Sequence, residues 1–209
     1  MMRIESIADK PDRAGRYRVA FDDGRFMRLY RQTVEDLGLY TGMELDNSQM
    51  DDLRESAGLT SAKMRAVRIV SASGVSRQDL QERLVRKGEA PEQAKAAVEW
   101  MEDLNLIDDR QTAQQVVARC ISKGYGPARA KQALYEKRIP KEYWEEALAD
   151  YPDQQEKILA FLRSRLTGQW TERDVKRAVD ALVRRGHSYA GIQRALRQME
   201  LDLEDFREE

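Results

Sequence analysis

One spacing occurs three times in this chain, and it constrains the fold more than any other feature. Leu84, Gly88, Ala94 and Val98 keep the offsets of Leu134, Arg138, Trp144 and Leu148, and of Leu182, Gly186, Ile192 and Leu196. Each leucine has an apolar residue four positions earlier (Leu80, Ala130, Ala178) and runs into a basic-Gly or basic-Arg step. A period of roughly 50 residues with helical spacing inside it marks a stacked helical array. Such arrays present extended surfaces, so the search moves from active sites to binding faces.

Each unit reads as three short helices. In the first, Ala62, Ala66, Ile69 and Val70 form one apolar stripe, with a stop at Gly74. Ser76 suits the cap of the next helix, with Asp79 as a capping-box acid, and that helix carries Leu80 and Leu84 to a stop at Gly88. Pro91 suits the first turn of a third, with Ala94, Val98, Met101 and Leu104 inward. The second unit repeats this with Val117 and Ile121, Gly124, Pro127, Leu134, Pro140, Trp144 and Leu148. The third has Ile158, Leu159 and Leu162, a loop near Gly168, Val175 to Leu182, Gly186, a Ser188 cap, then Ile192 and Leu196. Helices this short are marginal alone and depend on packing.

The first sixty residues differ. Two partly alternating stretches, Arg16–Phe21 and Arg25–Tyr30, flank Asp23-Gly24, a strong hairpin signal. Arg3–Ala8 is a further strand candidate. A short helix is expected around Val34 and Leu37, and another from Asp46 to Ala57 with a stop at Gly58. A hairpin is not stable alone, so this cap is expected to dock on the first unit. The expected class is mainly α: three tandem three-helix repeats in an elongated array behind a small β-hairpin-containing cap. The expected bounds are 1–60 for the cap, 61–109, 110–152 and 153–199 for the repeats, and 200–209 for an acidic tail.

Chemistry is scarce. His187 is the only histidine and Cys120 the only cysteine, so a His-based metal cluster and an intrachain disulfide are both excluded. Cys120, spaced helically with Val116, Val117 and Ile121, reads as a core residue; His187 reads as a surface or capping residue; Asp108-Asp109 reads as a helix cap rather than a metal pair. No P-loop occurs, and no cofactor is expected. Trp100 and Trp144 fall on apolar repeat positions, whereas Trp170 lies in a loop where it could stack a base. No apolar run is long enough to span a bilayer and the start lacks an apolar signal core, so the expectation is a cytoplasmic monomer with no membrane partner.

The net charge of −1 hides a pattern. Residues 119–138 hold six basic residues and one acidic, and residues 153–199 hold ten basic and five acidic, net +5 in each case. Residues 200–209 reverse this to −5. Charge alone leaves two readings open: a phosphate-facing surface, or solvated helix faces with mixed pairs such as Glu82–Arg86. The tail has two readings as well, a loose cover over the basic face or a frayed helix end, with Leu201, Leu203 and Phe206 able to dock it.

Ordered motifs then resemble a known family. Ser73-Gly-Val-Ser76 with Leu80, Leu84 and Lys87-Gly88, then Leu104-Asn-Leu-Ile-Asp-Asp109 with Ala113, Arg119 and Lys123-Gly-Tyr-Gly126, then Arg184-Arg-Gly-His-Ser-Tyr-Ala-Gly-Ile192 with Leu196, resemble the RecX family. The resemblance covers residues 60–199, and the hairpin cap is similar to an N-terminal extension found in some members. Arg138 departs from it, standing where the second repeat usually has glycine, and Thr112 stands where an aromatic usually precedes Ala113. The resemblance implies a regulator of the RecA recombinase, not an enzyme. It would bind the groove of the RecA filament on single-stranded DNA, inhibit ATP hydrolysis and strand exchange, and promote disassembly, a role in DNA repair, recombination and the SOS response. Some members also bind DNA directly. The expected contact residues, from charge and position, are Arg83, Arg86 and Lys87; Arg119, Lys123, Arg129 and Lys131; and Lys176, Arg177, Arg184 and Arg185. Two other classes stand beside this one: a helical-repeat nucleic-acid-binding protein without a recombinase partner, and an enzyme working with carboxylates and arginines alone.

Overall fold

The structure, a computed structural model, describes the backbone of residues 1–205 and the side chains of residues 1–200. The chain forms two compact units, divided between Ile107 and Asp108.

The first unit opens with strands β1 (Met2–Ile7), β2 (Arg16–Phe21) and β3 (Phe26–Tyr30), helix α1 (Arg31–Asp36) and a two-residue strand β4 (Glu44–Leu45). They make an antiparallel sheet in the order β3-β2-β1-β4. The hairpin expected at Asp23-Gly24 is present: Arg16 pairs with Tyr30 and Ala20 with Phe26. Its loop closes with Gly24 N–H on the Phe21 carbonyl and Phe21 N–H on the Arg25 carbonyl. Gly24, at φ 82°, supplies the one left-handed residue this loop needs. Val19, Phe21 and Leu29 point to one face and join Ile4, Leu39, Leu45, Met50 and Leu53 in a core.

Helix α2 (Asn47–Ala72) follows, capped by a reciprocal Asp46–Gln49 box. The stop expected at Gly58 does not occur. The helix runs through it, so Met50 and Leu53 reach the sheet's core while Ala62 and Ala66 reach the next core. A mid-helix glycine costs about 1 kcal/mol relative to alanine. Here it makes room, because a Cβ at position 58 would strike the side chain of Gln93 on α4. Position 60, the expected end of the cap, therefore lies inside a helix. Helices α3 (Arg77–Arg86) and α4 (Pro91–Asp103) complete a three-helix unit around Leu80, Leu84, Ala94, Ala97, Val98 and Met101.

The second unit holds α5 (Asp109–Ser122), α6 (Pro127–Glu136), a 3-10 turn (Lys141–Tyr143) running into α7 (Trp144–Leu148), then α8 (Gln155–Arg165), α9 (Glu172–Arg184) and α10 (Tyr189–Asp205). Ala113, Val117, Leu134 and Ile139 centre one core; Ile158, Leu159, Leu162, Ala178, Leu182, Ile192, Ala195 and Met199 fill the other. The three-fold pattern thus becomes three three-helix sets, mainly α, behind a cap that contains strands.

The repeated step after each core leucine has a physical meaning. Gly88, Arg138 and Gly186 all take left-handed backbone, at φ 95°, 57° and 85°. The next residue's N–H then reaches back to the carbonyl of Leu84, Leu134 or Leu182. That bond satisfies an orphan carbonyl and ends the helix. Arg138 adopts this conformation despite its side chain.

The backbone of α10 includes the expected acidic tail as far as Asp205; its side chains after residue 200 and residues 206–209 lie outside the described residues. Among the described residues, no helix is long and apolar enough to cross a membrane.

Candidate functional site

Single groups fall where helical spacing places them, with two exceptions. Ser76 caps α3 through Asp79 N–H, but the Asp79 carboxylate, expected to close a capping box, instead accepts from Arg83 Nε at 2.8 Å. Asp108 caps α5 through Gln111 N–H. Cys120 is buried, and burial pushes its thiol pKa up, away from a nucleophilic thiolate. His187 corrects the surface expectation. It is only 7% exposed, and its Nε2 lies 3.0 Å from the Gly124 carbonyl oxygen. Burial lowers its pKa, so neutral imidazole donates that bond. Its neighbourhood explains the burial. The α5–α6 turn and the α9–α10 turn cross backbone on backbone: Gly126 N–H donates to the Arg185 carbonyl and Ala128 N–H to that of Gly186. A Cβ on Gly126 would strike the Gly186 carbonyl, and one on Gly186 would strike the Arg129 backbone.

Among the described residues, no group of three or more His, Cys, Asp and Glu is placed to hold a metal ion. Trp100 packs on the first helical core under Lys63 Nζ, 5.1 Å from its ring, and Trp144 donates its indole N–H to the Ile139 carbonyl. Trp170 stands 37% exposed between α8 and α9.

The expected contact cations divide into two groups. Four are engaged: Arg83 by Asp79, Arg129 by Glu136 at 3.1 Å, Arg177 by Asp174 at 3.8 Å, and Arg185 over the Phe161 ring at 4.5 Å. Among the described residues, no carboxylate pairs with Arg86, Lys87, Arg119, Lys123, Lys131, Lys176 or Arg184, and all seven are exposed. Their ammonium and guanidinium groups are available to a partner.

Arg83 and Arg86 of α3 and Lys87 at its C-terminal cap do not share one cleft. Arg83 and Lys87 line one cleft; Arg86 lines a different hollow with Gln78, Gln81, Glu82 and Val85. The reason is the helix itself: residues 86 and 87 stand about 100° apart. Lys131 shares a cleft of about 500 Å³ with Arg194, which is not among the expected contact residues. Sequence reasoning also missed Arg16, Arg65 and Arg68, which meet Arg83 and Lys87 in one cleft although they come from separate stretches of the chain.

Three-helix units, each with the same left-handed turn after its middle helix and with unpaired cations on exposed faces, define a helical-repeat protein with basic surfaces. Comparisons with known proteins agree. Residues 108–148 match the family described as RecX, second three-helix domain. The regulatory protein RecX of Xanthomonas axonopodis pv. citri is 32% identical over 145 residues, 68% of this chain and 87% of that protein. Its Clostridioides difficile counterpart is 23% identical over 192 residues, 91% of this chain and 88% of that protein. A crystal structure of a regulatory protein RecX shares the fold, with a TM-score of 0.64 at 21% identity over 92% of this chain and 98% of the other. The chain belongs to the RecX family of regulatory proteins.

Proposed function

We propose that this protein regulates the RecA recombinase by lying in the groove of its filament on single-stranded DNA. In this role it inhibits ATP hydrolysis and strand exchange and promotes disassembly, as a cytoplasmic monomer performing no chemistry of its own. The observation that carries the reading is the set of seven exposed, unpaired cations spread over three three-helix units of a RecX-family chain. A regular filament offers the same docking surface repeatedly along its length. Several weak interactions on linked units then add to a useful affinity. Cations without internal partners favour phosphates and acidic lobes, and such binding weakens with salt. Substoichiometric protein is expected to slow DNA-dependent ATP hydrolysis by RecA while hydrolysing no ATP itself. Unchanged RecA turnover at a molar excess of this protein would sink the proposal. Equal affinity for bare DNA and for filament, with no effect on RecA, would select a nucleic-acid-binding role without a recombinase.

A further inference from the structure

The first unit contains a concave site whose charged lining residues are all cations. A cleft of about 490 Å³ is lined by Arg16, Arg65, Arg68, Arg83 and Lys87, with no carboxylate on its walls. Its cations come from β2, α2 and the end of α3, and Tyr30 of β3 joins them. Most of them are held in place. Arg65 Nε pairs at 2.7 Å with Glu89, whose side chain is 6% exposed, and Arg65 Nη1 donates to the Lys87 carbonyl. Arg83 is held by Asp79, and Arg16 by Asp12 at 2.8 Å. Each of these anchors takes part of a guanidinium fork and leaves further N–H groups over. Arg68 has no carboxylate partner among the described residues. Its Nη2 donates to the Ala14 carbonyl at 2.9 Å and lies 3.4 Å from the Tyr30 hydroxyl. Lys87 is exposed and has no side-chain partner among the described residues.

We propose that this cleft binds phosphate, with Arg68 and Lys87 supplying the uncompensated charge and Arg65 and Arg83 the oriented donors. Planar forks fixed from behind by carboxylates match the oxygens of a phosphate group. Arg68 and Lys87 carry charge that no carboxylate of the described residues compensates, and an anion between them relieves their repulsion. The phosphate can come from a nucleic-acid backbone or from a free phosphorylated molecule; the cleft's chemistry is the same for both. The inference does not rest on RecA, and no recombinase enters its test.

The full chain is titrated with a labelled single-stranded 20-mer oligothymidylate and, separately, with inorganic pyrophosphate. Three variants are compared: Lys87→Glu alone, Arg68→Glu with Lys87→Glu, and the exposed pair Arg31→Glu with Arg54→Glu as a control of equal charge change. Lys87→Glu alters an unpaired exposed side chain, so it keeps the test valid if Arg68→Glu disturbs the hairpin. Both cleft variants are expected to lose at least tenfold in affinity at low salt while the control stays within twofold. Each phosphate of a single strand that the protein ceases to neutralise lowers the salt slope by roughly 0.7. Loss of oligonucleotide binding assigns the phosphate to nucleic acid; loss confined to pyrophosphate assigns it to a free molecule. Equal loss in cleft and control variants, or unchanged binding of both probes in the cleft variants, overturns the proposal.

Discussion

Arg138 holds a conformation that an L side chain resists, at φ 57°. Left-handed backbone costs a non-glycine residue roughly 1–2 kcal/mol, partly offset by the greater unfolded-state freedom of glycine. Arg138→Gly is therefore expected to raise stability by about 0.5–1 kcal/mol, read as a higher urea midpoint. The equivalent glycines will not behave alike. A Cβ at Gly88 meets nothing, so Gly88→Ala bears the strain alone; at Gly186 it strikes the Arg129 backbone. Gly186→Ala is expected to cost at least about 1 kcal/mol more than Gly88→Ala, since overpacking adds about 1–3 kcal/mol; equal losses would disprove the turn crossing. His187 gives a pH signature. Its folded pKa lies below the ordinary 6.5 because burial disfavours the charged ring. The unfolded chain therefore takes up the proton first. The stability this residue contributes is present above pH 6.5 and is lost as pH falls through that value toward the folded pKa. With no second histidine in the chain, a melting temperature that drops between about pH 7.5 and 5.5 in the wild type is expected to drop less in His187→Gln.

Among the elements, α2 separates what could be read in the sequence from what could not. Apolar periodicity located the helices of each set, and Asp23-Gly24 located the hairpin, because both are local properties of a few residues. Gly58 and Gly88 are the same letter with opposite uses. Gly88 ends a helix through a left-handed turn, whereas Gly58 lets Gln93 of a distant helix come close. Only the tertiary neighbour tells them apart. The same limit applied to binding surfaces. Counting charge along the chain found net-positive stretches, but it could not bring Arg16 to Arg68 or divide Arg86 from Lys87. It also left His187 on the surface, since nothing local shows that two turns cross. Continuity of α2 has a direct check. Gly58→Pro removes an N–H and crowds the preceding turn, which costs about 3 kcal/mol or more inside a helix. A urea midpoint close to wild type would mean that the helix does break there.

For the whole molecule, a near-zero net charge coexists with unpaired cations on exposed faces. Arg184 is the cleanest of them to test, because Arg185 also stacks on Phe161 and its loss would remove that packing. Arg184→Glu is expected to weaken filament binding several-fold and to flatten its salt dependence. Its melting temperature should stay within about 2 °C of wild type, since exposed charges contribute only about 0–1 kcal/mol to folding. Filament affinity equal to wild type would remove Arg184 from the binding surface. The long helix α2 has a further consequence, for how the chain is made. Starting a helix is the unfavourable step and extending one is not. In a growing polypeptide the sheet and the first half of α2 leave the ribosome before the first repeat, so that repeat is placed to extend a helix already begun. The cap is then a seed crystal for the repeat that follows it, and a chain shortened to start at residue 60 has to nucleate its first repeat unaided.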